Sequence, residues 1–287
     1  MRIVIALAGN ALHKRGEKGG EKGGAQDEAP CVKAAASQLA RVADGNDLVI
    51  VHDEHDESHY ELELRNCLTK ARPCATLQTV IEVDLADPAF AHPDKPIGAF
   101  IVGEHALAEA QAQHWSLTHD GIGYRRVLPS PKPKRLLQTE PLHRLIEQGM
   151  VVMCSGGRPV VAAADGGLRD IHAFIDPYDG AALIAEAIDA DLFVIATEMA
   201  GVILDWGTAN SKLLSHGHPS AVREFAASAG MMAPKLRAAS KFAERTGRRA
   251  AIGALADLKR LVDGTAGTTI SCDGIDARSV SCGSVAR

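Results

Sequence analysis

Short, unbroken apolar runs alternate along the chain with Ala-rich or mixed stretches. The runs suit strands covered on both faces, and the stretches between them suit helices. The first run, residues 2–8, ends in the turn Gly9-Asn10. Residues 14–24 then hold Glu17-Lys18-Gly19-Gly20 and Glu21-Lys22-Gly23-Gly24 in tandem. Glycine at that density loses too much backbone entropy in a helix, so a flexible loop is predicted. The pattern further predicts a helix over 31–42, a turn over 44–47 and a second buried strand over 48–51. A helix over 61–70 and a third strand over 76–83 follow.

Residues 87–137 break this rhythm with Pro88, Pro93, Pro96, Pro129, Pro131 and Pro133. Prolines so placed exclude long helices and central strands. An inserted subdomain of short strands is expected there, with one helix over 104–113. Beyond it a helix is predicted over 142–148 and a strand over 151–154, ending in Ser155-Gly156-Gly157. Next come a helix (181–190), a strand (191–196) and a hairpin partner (201–204). Helices over 220–229 and 234–245, a strand over 250–255 and an edge strand over 268–271 complete the order; 271–287 is expected to be a flexible tail. Alternating strands and helices predict an α/β fold, a three-layer αβα sandwich with a mainly parallel central sheet and a small protruding subdomain. Such sheets bind ligands beyond the carboxyl ends of their strands. Gly9-Asn10, His52, Ser155-Gly156-Gly157 and Thr197 all follow strands and are candidates for one cleft.

Composition narrows the function. Hydrophobic residues make up 46 % and charged ones 23 % of 287 residues, which excludes disorder as the main state. With 31 basic against 36 acidic residues the formal charge is −5, so nucleic acid is not expected as a partner. No apolar run reaches about 18 residues, so no membrane span is expected. Residues 1–10 lack the longer apolar stretch and cleavage site of a secretory signal. The six cysteines form no Cys-x-x-Cys pair, and most are expected as free thiols in a reducing cytoplasm.

Two segments are more specific: His92-Pro93-Asp94-Lys95-Pro96-Ile97-Gly98, and Gly123-Tyr124-Arg125-Arg126-Val127-Leu128-Pro129-Ser130-Pro131-Lys132-Pro133. With Ala6-Leu7-Ala8-Gly9-Asn10-Ala11-Leu12, Asp189-Ala190-Asp191 and Met232-Ala233-Pro234-Lys235, the chain resembles the carbamate kinases of the amino-acid kinase family over about residues 1–270. The resemblance implies reversible phosphoryl transfer between Mg-ATP and carbamate, with carbamoyl phosphate and ADP as the other pair, in a homodimer. Positioning and charge neutralisation carry such chemistry. By resemblance, Lys95 reaches from the subdomain toward the carbamoyl group and Lys235 faces the nucleotide phosphates. Gly9 and Asn10 form the first loop, Gly156, Gly157 and Arg158 a second. Thr197, Trp206 and Gly207 lie along the nucleotide site.

Departures from the family pattern are concentrated at the same loops. Ala8 stands where the family has the first of two glycines. His52-Asp53-Glu54-His55-Asp56-Glu57 replaces a Gly-rich, uncharged pattern after the second strand, where carboxylates repel an anion. Pro177 stands in place of a lysine, with neither charge nor N–H. Ala200 replaces an acid, the glycine turn is shorter, and so is the helical segment after the second strand. Arg158 is the candidate substitute cation. His52, His55 and His59, with the acids between them, also admit a Zn²⁺ or Mn²⁺ site, although no His-Glu-x-x-His motif is present; the bland alternative is a solvated polar loop. Two readings stand at this point. One is a divergent kinase keeping Lys95, Lys235 and Asn10; the other is a repurposed homologue that binds or assembles without turnover.

Overall fold

The structure is a computed structural model, which describes residues 1–7, 25–52, 57–68, 72–119, 121, 123–155, 157–163, 165–208, 210–226, 229–273 and 280–283, with backbone alone at 25–31, 57–61, 155 and 280–283. The chain begins with β1 (Arg2–Leu7), α1 (Ala25–Ala43), β2 (Asp47–His52), α2 (Glu57–Cys67) and β3 (Cys74–Leu77). It moves outward through β4 (Val80–Glu82) to β5 (Lys95–Ile101), α3 (Glu104–Ala112), β6 (Leu117–His119) and β7 (Tyr124–Leu128), and returns through β8 (Arg135–Leu136). Then follow α4 (Thr139–Glu147), β9 (Val151–Ser155), β10 (Arg158–Ala162), β11 (Leu168–Asp170), α5 (Pro177–Ala187) and β12 (Leu192–Thr197). The last part holds β13 (Val202–Leu204), β14 (Lys212–Gly217), α6 (Pro219–Ala226), α7 (Ala233–Thr246), β15 (Arg249–Ala254), α8 (Leu258–Val262), β16 (Thr268–Ile270) and β17 (Val280–Gly283).

The central sheet runs β13-β14-β16-β15-β12-β1-β2-β9-β3, with β17 also on β14. The six strands from β15 to β3 are mutually parallel. Their alternate residues feed two separate cores, which is why each reads as a continuous apolar run. Val4, Ala6, Val49, Val51, Phe193 and Ile195 face α4, α5, α6 and α7. Ile3, Ile5, Leu48, Ile50, Leu192 and Val194 face α1, α2 and α8. The expected three-layer αβα sandwich is therefore observed.

Two expectations need correction. The single strand over 76–83 is two strands in two sheets. β3 pairs with β9 in the central sheet, whereas β4 lies between β10 and β8 in a second sheet, β11-β10-β4-β8. Buried Thr79 stands at the crossing. Residues 201–204 do form a hairpin, but with β14, whose sequence Lys-Leu-Leu-Ser-His-Gly carries no clean alternation. Thr268, fully buried, ties this edge together: its hydroxyl accepts from the Val202 N–H and donates to the Leu214 carbonyl.

The proline-rich excursion forms a third sheet, β5-β7-β6. Its two connections pair antiparallel as β4 and β8, Glu82 opposite Arg135. There the buried Glu82 carboxylate accepts from Lys134 Nζ at 3.0 Å and Arg135 Nε at 2.9 Å, and these cations hold its pKa below the usual carboxylate value. Within the segment expected as tail, β17 runs antiparallel to β14, Val280 opposite Gly217.

Candidate active site

The parallel strands bring Leu7, His52, Ser155, Thr197 and Ala254 to one rim, their common carboxyl ends. Chain order reverses across β1, which has β2 on one side and β12 on the other. That is the switch point where an open α/β sheet opens a crevice. Gly9 and Asn10 follow β1 at this point but lie outside the described residues, as do Asp53–Asp56, His55 among them, and Gly156.

One segment, Phe174–Tyr178, organises what is described. It leads into α5, whose N-cap is Asp176 and whose first residue is Pro177. Asp176 Oδ1 accepts from the N–H groups of Tyr178 (3.0 Å) and Asp179 (3.3 Å). Proline at the first helical position loses nothing, since that N–H has no partner within a helix. The helix's first free N–H groups already face the Asp176 carboxylate, whose charge repels an anion there.

Both predicted lysines reach this segment. Lys95 opens β5 in the small sheet, and its Nζ lies 4.5 Å from the centre of the Phe174 ring. Phe174 is held toward that sheet by its N–H, which donates to the Pro129 carbonyl at 2.9 Å. Lys235 sits in the first turn of α7, only 6 % exposed, with Nζ 4.8 Å from the centre of the Tyr178 ring and 3.4 Å from the Met231 carbonyl oxygen. Burial lowers the Lys235 pKa, against the opposing pull of Asp176 and Glu198. A cation in the first turn of a helix also meets the positive end of the helix dipole. Lys235 is thus a desolvated ammonium held where local structure disfavours it, which makes it a functional-site candidate. Among the described residues neither lysine forms an ion pair.

Other predicted residues are placed as follows. Thr197 is buried at the end of β12, followed by exposed Glu198. Trp206 is 66 % exposed in the β13–β14 turn, beside Gly207 at φ 80°. Gly157 has φ 107°, and a Cβ there would lie 2.4 Å from Ile81 Cδ1. Arg158 is ion-paired with Asp170 across β10 and β11, both side chains exposed, so it serves as a free cation only by leaving that partner. His52 is buried beside β9, and the His59 side chain lies outside the described atoms. Among the described residues no group of three or more His, Cys, Asp or Glu side chains is placed to hold a metal ion.

Sequence reasoning missed Phe174, Tyr178, Asp176 and Glu198. A signal was present: aromatics are 4 % of the chain, yet two lie four residues apart at a helix start.

An open, helix-covered parallel sheet whose strand ends share one crevice defines an α/β ligand-binding scaffold. The chain belongs to the amino acid kinase family, which it matches over residues 1–254. It is 39 % identical to the carbamate kinase of Haemophilus influenzae, covering 94 % of this chain and 97 % of that one, and 32 % identical to that of Pyrococcus furiosus, covering 94 % and 98 %. The first alignment spans 304 positions, more than the 287 residues here, so the relative carries segments this chain lacks. A solved structure from Aeropyrum pernix superposes with a TM-score of 0.81 at 28 % identity, over 94 % of this chain and 99 % of that one. The carbamate kinase of Giardia lamblia bound to AMP-PNP also gives 0.81 over 94 % and 98 %; at 24 % identity this likeness speaks for the fold. Among the described residues no helix is long and apolar enough to cross a membrane.

Proposed function

We propose that this chain catalyses reversible phosphoryl transfer between ATP and carbamate, forming ATP and carbamate from ADP and carbamoyl phosphate in the reverse sense. The observation that carries the reading is that Lys95 and Lys235, from separate elements, each lie against a ring of the one segment Phe174–Tyr178. A transferring phosphoryl group spreads negative charge over its oxygens, and two ammonium groups in place before reaction stabilise that charge without reorganising. Lys95 serves the acceptor side and Lys235 the nucleotide phosphates. Thr197, Trp206 and Gly207 border the nucleotide, with the exposed Trp206 ring offering a stacking face. Gly9, Asn10, Gly156 and Gly157 supply backbone N–H groups to phosphate, and Arg158 joins them by releasing Asp170.

Magnesium enters as part of the Mg-ATP substrate. Mg²⁺ keeps several waters and takes one or two carboxylates plus substrate phosphates. Exposed Glu198 fits that need, and Asp176 fits it less well because its Oδ1 is engaged in capping α5. A homodimer in the cytoplasm completes the reading.

The test is coupled ATP formation from carbamoyl phosphate and Mg-ADP. Turnover in the natural chain, reduced about 10²- to 10³-fold in Lys95→Ala and in Lys235→Ala, is expected. A natural chain no faster than both variants removes the proposal.

A further inference from the structure

We propose that Phe174 and Tyr178 are positioning residues, whose ring faces seat the ammonium groups of Lys95 and Lys235. The inference rests on the phosphotransferase reading for its consequence, though its geometry stands alone. The two rings belong to one short segment, four residues apart, and each lies under a different lysine at 4.5 and 4.8 Å. A cation over an aromatic face is attracted by the ring quadrupole. That attraction is weaker than an ion pair and leaves the far side of the ammonium open. A lysine paired to a carboxylate has a donor and part of its charge engaged when it meets a phosphoryl oxygen; one seated on a ring keeps its three donors.

The surroundings favour this division of labour. Asp176 is the acid nearest to α5's start, yet its Oδ1 turns to the Tyr178 and Asp179 N–H groups. The titratable groups acting on Lys235 are Asp176 and Glu198, and both favour its charged form. The only hydrogen bond from its Nζ among the described residues goes to the Met231 carbonyl, at a long 3.4 Å. The Tyr178 ring lies close to the ammonium and adds to the pull of these two carboxylates, which favours the charged form where burial opposes it. Phe174, half-buried and anchored through its N–H to Pro129, places its ring against Lys95 at the junction with the small sheet.

The experiment uses the full chain with Tyr178→Leu, Tyr178→Phe, Phe174→Leu and Phe174→Tyr. The titration midpoint of Lys235 is read by the ¹³Cε resonance that disappears in Lys235→Met, and the kinetic constants are read against pH. Removing the Tyr178 ring lowers the Lys235 midpoint by roughly 0.5–1 pH unit, while Tyr178→Phe keeps it. The alkaline limb of kcat/KM moves down by the same amount in Tyr178→Leu alone, with a loss on the order of 5- to 30-fold at pH 8. Phe174→Leu gives a similar loss carried by KM for carbamoyl phosphate, rescued by Phe174→Tyr. If Tyr178→Leu leaves the midpoint in place, or Tyr178→Phe shifts it equally, the ring is not the seat and the proposal is overturned. A natural chain without turnover whose Lys235 midpoint still follows the ring overturns the kinase reading and supports the seating.

Discussion

Lys235 shows at the scale of one residue how function and stability oppose each other. Its pKa is lowered by burial, so the unfolded chain holds that proton more tightly than the folded one. Folding is therefore opposed by this group while it is charged, and relieved as pH rises through its folded and then its unfolded pKa. Lys235→Met removes the buried charge and keeps the stem's apolar packing. We expect its melting temperature at pH 7 to equal or exceed that of the natural chain, while turnover falls about 10²- to 10³-fold. Thermal unfolding beside the coupled assay checks both halves; a large drop in melting temperature contradicts the account. Gly157 is the converse case. Its positive φ and the approach of Ile81 make Gly157→Ala costly, by about 1–3 kcal/mol in chemical denaturation. Both lysines were legible because each sits in a recognisable run of neighbours. Their aromatic seats were not, because contacts between Lys95 and Phe174 or Lys235 and Tyr178 join distant parts of the chain and leave no local period. Pro177, by contrast, was read as a lost cation, and the structure adds that it is also a well-placed first helical residue.

At the scale of elements, strands buried on both faces announce themselves, and β1, β2, β9, β12 and β15 were legible for that reason. The failures came where tertiary pairing overrides local pattern. Residues 76–83 look like one strand because β propensity does not register a change of sheet at Gln78-Thr79. β14 was invisible because its partners, not its own alternation, define it. Thr268 secures that edge through two hydrogen bonds to β13 and β14, so Thr268→Val, nearly isosteric, leaves a buried N–H and carbonyl unmet. A loss of about 1–3 kcal/mol is expected, with hydrogen exchange accelerated at Val202. Unchanged protection at Val202 counts against the tie. Glu82 fastens the base of the small sheet in a comparable way. Its pKa is held below the ordinary 4.5, so its contribution is full above that pH and is lost as pH falls through the lowered folded value. Glu82→Gln is expected to cost about 1–2 kcal/mol at pH 7, discounted because Lys134 and Arg135 are more than half exposed, and to cost little near pH 2. A cost that does not change with pH assigns the effect to packing instead.

For the whole molecule, the decisive arrangement is that one lysine comes from the small sheet and the other from α7, on the central sandwich. On the proposed function, neither alone surrounds the group to be transferred. Their joint presence depends on the segment before α5, which touches both and is itself held by Pro129. Two cations that stabilise the same developing charge act as a unit, and effects within a unit do not add. The Lys95→Ala, Lys235→Ala double variant should therefore lose less in kcat/KM than the product of the single losses, by at least about tenfold. Independent sites, such as a substrate lysine and an unrelated structural lysine, give a simple product. A double-mutant cycle in the direction of ATP formation separates the two. Strict multiplicativity places the lysines on different steps, leaving the shared segment a matter of folding rather than of catalysis.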